Sequence, residues 1–238
     1  MNYFQIAIDG PVAAGKGTVS KKLADKLGFL YVDTGATYRV ATLLAVRNNF
    51  NFENLSNEVE EDVMALAKLV EQSNIQMNVP KEGEKDGRLI TLILNGEDVS
   101  WAIREESISA KVYVVAKLAA VREVLVRKQQ QIASSNDVVM EGRDITYRVL
   151  PKAQLKIYLD ADQKVRIARR IDQLNRQGQT VDEAMVEEEI IKRDYTDMHR
   201  ESDPLRIEPD AWHFNASGLT IDETVDEIIK KVEELRSL

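Results

Sequence analysis

Residues 10–18 of this 238-residue chain read Gly-Pro-Val-Ala-Ala-Gly-Lys-Gly-Thr, between an apolar run and a helical stretch. Glycines let a backbone curl until successive N–H groups point inward at a bound phosphate. The start of the following helix adds partial positive charge, and Lys16 can reach terminal phosphates. Gly10, Pro11, Val12, Ala13, Ala14, Gly15, Lys16, Gly17 and Thr18 are therefore candidate nucleotide-binding residues. Gly17 follows the lysine where the strict P-loop pattern has Ser or Thr, and Thr18 supplies a hydroxyl one residue later. Such a turn can also serve only to join a strand to a helix; the order strand, loop, lysine, helix favours phosphate binding.

Three more apolar runs also end in polar chemistry. They deliver Asp33-Thr34-Gly35 with Arg39 shortly after, Glu141-Gly142-Arg143-Asp144, and Asp160-Ala161-Asp162, to set beside Asp9-Gly10 from the first run. In an open parallel sheet, ligands sit beyond the carboxyl ends of the strands, so these segments are expected on one edge. Arg39, Arg143, Arg193 and Arg200 fall in or beside them, and Arg166, Arg169 and Arg170 share one helical turn after Asp162. Guanidinium forks match phosphate oxygens in pairs, and stabilising spread charge is most of what phosphoryl transfer requires. For any one charged residue a solvated surface group is the better explanation, while the set favours a site. For Arg166, Arg169 and Arg170 alone, rim arginines paired with the many acidic residues explain the pattern about as well.

The elements that must position these groups follow from periodicity. Tyr3 to Ile8 reads as a strand, followed by a helix with Val19, Leu23 and Leu27 on one face that stops at Gly28. Phe29 to Val32 is a second strand before another helix, a spacing that predicts a parallel sheet. The middle differs. A helix with Val59, Val63, Leu66 and Val70 on one face leads to Ile75–Val79, then a polar turn from Pro80 to Gly87 and a second strand from Arg88 to Leu94. Two strands joined by a loop make a hairpin, so about 54–106 reads as an insert. A long helical stretch from about 107 to 133 returns to the core. Strands at Val138–Met140 and Leu155–Leu159, helices at about 163–176 and 181–198, and a last strand near Trp212–Phe214 complete it. The final helix opens with the capping box Thr220-x-x-Glu223 and buries Ile221, Val225, Ile228, Val232 and Leu235.

Bulk composition narrows the chemistry. With 32 basic and 40 acidic residues the net charge is −8, which disfavours a polyanion such as nucleic acid as main partner. There is no cysteine, excluding disulfides, thiolate metal sites and cysteine nucleophiles. The two histidines, His199 and His213, are too scattered for a histidine metal site. No stretch approaches the roughly 18 apolar residues of a membrane span, and the first residues lack a basic, apolar leader. The expected location is the cytoplasm.

The phosphate loop, Tyr31-Val32-Asp33-Thr34-Gly35-Ala36-Thr37-Tyr38-Arg39, Glu141-Gly142-Arg143-Asp144-Ile145 and Lys192-Arg193-Asp194-Tyr195-Thr196-Asp197-Met198-His199-Arg200 together resemble the bacterial cytidylate kinases. The likeness also takes in Asn95 to Ser100 and Val121-Arg122-Glu123. It implies an α/β P-loop NTPase fold: a parallel five-stranded sheet flanked by helices, a core of about 1–53 and 107–238, a small antiparallel insert that binds the nucleoside monophosphate, and a lid near 160–180. It further implies γ-phosphoryl transfer from ATP to CMP or dCMP, with Lys16, Arg39, Arg143 and Arg200 as the catalytic cations. Lys16 and its loop would hold ATP, with Arg166, Arg169 and Arg170 closing over the phosphates and Mg²⁺ riding on them; no protein ligand for that ion is assigned. Arg39, Arg143 and Arg200 would hold the CMP phosphate, Asp144 and Arg122 the cytosine edge, Arg193 and Asp197 the ribose, with Thr34 beside base and phosphate. A monomer is implied.

The chain departs from that pattern at three places. Thr146-Tyr147 stands where the family continues Gly-Thr, Tyr113 where it has a base-reading serine (Ser109 lies one helical turn earlier), and Asp203 where a Ser or Thr precedes Pro204-Leu205. These bear on the strictness of cytosine recognition more than on the reaction. The competing readings are a kinase acting on UMP or AMP, a degenerate kinase kept as a scaffold, and a P-loop GTPase switch. The last needs an Asn/Thr-Lys-x-Asp segment, which is absent.

Overall fold

The computed structural model describes residues 3–80, 86, 88, 90–176, 178 and 180–237. Its strands are β1 (Gln5–Asp9), β2 (Leu30–Asp33), β3 (Ile75–Asn78), β4 (Thr91–Leu94), β5 (Glu97–Asp98), β6 (Val138–Glu141), β7 (Leu155–Asp160) and β8 (Trp212–Asn215). The helices are α1 (Lys16–Leu27), α2 (Thr34–Arg47), α3 (Phe52–Ser56), α4 (Glu60–Gln72), α5 (Glu106–Ser109), α6 (Val112–Lys117), α7 (Ala119–Ala133), α8 (Gln163–Arg176), α9 (Glu183–His199) and α10 (Ile221–Arg236). The strands form a five-stranded sheet of order β2-β6-β1-β7-β8 and a three-stranded sheet of order β3-β4-β5. Two compact units divide the chain, one of residues 1–29 and 137–238, the other of residues 30–136.

In the first unit, β1 lies parallel between β6 and β7, with Ile6 opposite Val139 on one side and Leu155 on the other. Ile6, Ala7 and Ile8 are fully buried, as expected of a central parallel strand covered on both faces. α1 buries the predicted Val19 and Leu23. It ends at Gly28, whose φ of 69° places it in the left-handed region that closes many helices. α10 opens with the predicted capping box: Thr220 Oγ1 accepts from Glu223 N, and the Glu223 carboxylate accepts from Thr220 N. Ion pairs Lys22–Asp222 and Lys26–Asp226 link α1 to α10.

The second unit holds the antiparallel sheet, with Ile75 opposite Leu94 and Asn78 opposite Thr91. Its hairpin was expected from the sequence, but the second strand starts at Thr91 rather than Arg88. The predicted Pro80–Gly87 turn falls largely outside the described residues. β5 was not expected. Asn95 and Gly96, with φ of 51° and 90°, form the tight turn that folds β5 back on β4. That is the dipeptide and the backbone geometry a two-residue hairpin loop demands.

The predicted 107–133 helix is three helices. Leu118, buried and in an extended conformation (ψ 108°), separates α6 from α7. Val59 is likewise not on the buried face of α4; it precedes the helix as its N-cap residue and is exposed. No described helix is long and apolar enough to cross a membrane.

Candidate active site

The phosphate loop follows β1 directly. Gly10 has φ 152°, and a Cβ placed there would lie 2.0 Å from the backbone oxygen of Leu159 in β7. No side chain fits at that distance. Ala13 (φ 58°) and Gly15 (φ 92°) provide the remaining left-handed turns. Lys16, the first residue of α1, is buried, and its Nζ donates to Gly10 O and Pro11 O, each at 2.7 Å. Burial first, and then the Arg143 charge, pull its pKa down to about 7 against the pull of Glu141, Asp197 and Asp9. The ammonium is thus partly deprived of its charge by desolvation, a state that an incoming polyanion reverses.

Asp9, at the end of β1, is fully buried. It accepts from Ile145 N at 2.9 Å, Thr146 N at 2.8 Å and Thr146 Oγ1 at 2.7 Å. Burial pushes its pKa up, and the bonds from Thr146 and Ile145 with the Lys16 charge oppose that rise. Asp9 therefore ties the loop strand to the turn after β6 that carries Arg143 and Asp144. Residues Ile145–Val149 form a π-helical turn, so Thr146 here serves as an anchor.

One face of α9 organises the rest of this unit. Asp194 accepts from Val12 N at 3.2 Å and from Arg166 Nη1 at 2.6 Å. One helical turn on, Asp197 accepts from Arg143 Nε at 2.6 Å. Burial opposes the Arg143 charge, but Asp197, Glu141 and Asp9 outweigh it and hold the pKa above the usual value. Arg200, which caps the helix, donates through Nε to Asp203 O at 2.7 Å and lies 3.8 Å from Asp144 Oδ1. Arg193 is exposed on the same helix.

The three arginines of α8 diverge. Arg166 is buried and fixed by Asp194, by Val12 O at 3.1 Å and by Ala161 O at 3.0 Å. Arg169 donates to Ala14 O at 3.3 Å and Ala216 O at 2.9 Å, bracing the loop through its carbonyls. Arg170 turns toward Gln173 at 3.2 Å and Glu189 at 4.0 Å.

In the second unit, Asp33 caps α2 by accepting from Ala36 N at 3.2 Å. Thr34 opens that helix and is buried; its carbonyl accepts from Thr37 Oγ1 at 2.7 Å, and Thr37 accepts in turn from Gln129 at 2.8 Å. Arg39 Nη1 donates to Ser109 Oγ at 2.7 Å and Ile103 O at 3.4 Å. Burial lowers the Arg39 pKa, with Arg104 acting in the same direction and Asp33 against. Arg122 is 2% exposed, sits 5.2 Å over the Tyr38 ring and donates to Ala116 O at 3.0 Å. Tyr113 is 68% exposed.

Within the first unit the structure thus joins Lys16 and its loop to Arg143, Asp144, Arg166, Asp197 and Arg200 through hydrogen bonds and charge. Asp194 was given no role from sequence, and Asp9 only a place among the polar strand ends expected on the ligand edge. For Asp194 a signal was present: it stands three residues before Asp197, on the same helical face.

The cytidylate kinase family profile matches residues 6–234. The cytidylate kinase of Caldanaerobacter subterraneus subsp. tengcongensis is 44% identical over 230 residues, 97% of this chain and 95% of that one. Those of Bacillus licheniformis and Bacillus subtilis are 41% and 40% identical over 229 residues, 96% of each chain. A phosphate loop with a buried lysine, set among arginines in a parallel sheet, and matched along nearly its whole length by these enzymes, places the chain in the cytidylate kinase family.

Proposed function

We propose that the protein transfers the γ-phosphoryl group of ATP to CMP or dCMP, giving ADP and CDP or dCDP. The observation that carries this reading is Lys16, a desolvated cation at the head of α1 whose acceptors are its own loop's carbonyls. A bound polyphosphate supplies the counter-charge those carbonyls lack.

A phosphate oxygen of CMP attacks the γ-phosphorus, the bond from that phosphorus to the bridging oxygen breaks, and ADP leaves with the electron pair. The second pKa of a phosphate monoester is roughly 6, so the nucleophile is anionic at neutral pH and needs no general base. The chain's task is alignment and charge stabilisation. Lys16 and Arg166 act on ATP, with Arg169 bracing the loop. Arg39, Arg143 and Arg200 act on the acceptor phosphate, Asp144 and Arg122 on the cytosine edge, and Asp197 with Arg193 on the ribose. Thr34 lies beside base and phosphate.

Mg²⁺ enters as part of MgATP. Among the described residues no three acidic or histidine side chains gather as a metal site, and both Asp9 oxygens already accept hydrogen bonds. This donor set fits an ion held mainly by the nucleotide phosphates, with the exposed Thr18 as the hydroxyl the loop offers. The ion neutralises charge that develops on the phosphates. We assign the working form as a monomer, which light scattering tests.

The deciding experiment is ADP release with CMP, dCMP, UMP and AMP as acceptors. Lys16→Ala is expected to abolish turnover with all four, and Asp144→Ala to penalise CMP most. ATP binding without CMP-dependent ADP release would mean a scaffold. Equal losses over the four bases would remove Asp144 from base reading.

A further inference from the structure

Two adjacent residues anchor the turn after β6 to different neighbours. Thr146 holds it to Asp9. Tyr147 Oη donates to Pro204 O at 2.7 Å. The Arg206 guanidinium lies 3.9 Å from the Tyr147 ring centroid and is itself held by Glu208 at 2.7 Å. Next to Pro204, Asp203 adopts φ 49°, a left-handed conformation that Asp tolerates better than most residues. That conformation accompanies a carbonyl turned to Arg200, which donates to it through both Nε and Nη2. Arg200 in turn approaches Asp144 to 3.8 Å. Two hydrogen bonds, Tyr147 to Pro204 and Arg200 to Asp203, together with the 3.8 Å approach of Arg200 to Asp144 and the chain segments 144–147 and 203–204, close a loop within one unit.

A single monophosphate must satisfy a base-reading carboxylate and a phosphate-holding guanidinium at once, so their spacing is a catalytic quantity. We infer that Tyr147 is a positioning residue that sets this spacing, its hydroxyl tying the turn that carries Asp144 to the loop that carries Arg200. The inference rests on the assignment of Asp144 to the cytosine edge and Arg200 to the phosphate. Burial, with Asp144 and Asp203 adding to it, keeps the Tyr147 hydroxyl protonated far above neutral pH, so the bond is present throughout the working range.

The test compares Tyr147→Phe, which removes one oxygen and keeps the ring, with Arg206→Ala, which removes the stack and keeps the hydroxyl. Steady-state kinetics with CMP and UMP, the KM for ATP and the melting temperature are read for each. Tyr147→Phe is expected to lower kcat/KM for CMP about tenfold and the CMP-to-UMP preference about threefold or more, with KM for ATP unchanged. Arg206→Ala is expected to lower the melting temperature and leave the preference intact. A Tyr147→Phe enzyme that melts earlier but keeps its base preference overturns the inference, as does an Arg206→Ala enzyme that loses preference equally. Asp144→Asn separates the two assignments: if it leaves base preference untouched, the Asp144 role fails. If it collapses the preference while Tyr147→Phe does not, only the Tyr147 role fails.

Discussion

Lys16 is held by two carbonyls and shares its surroundings with Arg143, and that arrangement has a measurable protonic consequence. With its pKa near 7 in the free protein, Lys16 is largely neutral at pH 8, and bound polyphosphate restores the proton. ATP binding at pH 8 is therefore expected to take up close to one proton, on the order of what a single recharged lysine requires. Calorimetry in buffers of different ionisation enthalpy reads this directly, and the uptake should vanish in Lys16→Met. The same shift acts on stability. The folded pKa lies below the unfolded value of 10.5, so the unfolded chain binds more protons between pH 7 and 10.5. Stability from this group rises with pH across that window and is flat below it. Lys16→Met should accordingly raise the melting temperature of the nucleotide-free protein at pH 7, with the advantage shrinking by about pH 10. At this scale the sequence was readable where side chain and role coincide, as for Lys16. It set Asp9 with the strand ends expected on the ligand edge, whereas its carboxylate engages a neighbouring turn; a carboxylate at a strand end gives no sign of which of the two it faces.

Between elements, α9 does more than its amphipathic pattern announces. Asp194 binds the phosphate loop through Val12 and α8 through Arg166, so a helix expected to serve the acceptor also braces the donor side. Asp194→Ala would leave a buried guanidinium unpaired, at a cost of about 2–4 kcal/mol in urea unfolding. Arg166→Met in the same chain should recover a good part of that loss; no recovery would show that the pair is not the source. Periodicity found α1, α4 and α10 because each has one sustained apolar face. It merged α6 and α7 because Leu118 is apolar and keeps the pattern running, so that only its backbone angle breaks it. It merged α5 with α6 because neither Ala110 nor Lys111 between them is a helix breaker. β5 was missed because two residues are too few to show alternation, although the Asn95-Gly96 turn before it was in plain view.

For the whole molecule, the parallel sheet was readable from apolar runs alternating with helical stretches, and the Arg143 to Arg200 series from its likeness to the cytidylate kinases. What composition and periodicity do not carry is which cation meets which anion. A chain of net charge −8 that binds two anionic nucleotides has to concentrate positive charge locally, and ligand-linked stability measures how far it does so. At a hundredfold excess of ATP over its Kd, unfolding should become harder by about 2.7 kcal/mol. Lys16→Ala at the same ATP concentration should show little of that gain. A wild-type protein whose melting temperature ignores ATP would contradict the donor site.

The 2.0 Å separation between a hypothetical Cβ at Gly10 and the Leu159 oxygen constrains anyone who tries to retune this enzyme. A library randomised over 10–18 and selected for function should return a single codon family at its first position. Diversity would be recovered only farther along, where the chain has left its neighbouring strand. Altered donor preference has to be sought outside that entry point, because there the backbone of β7 has already made the choice.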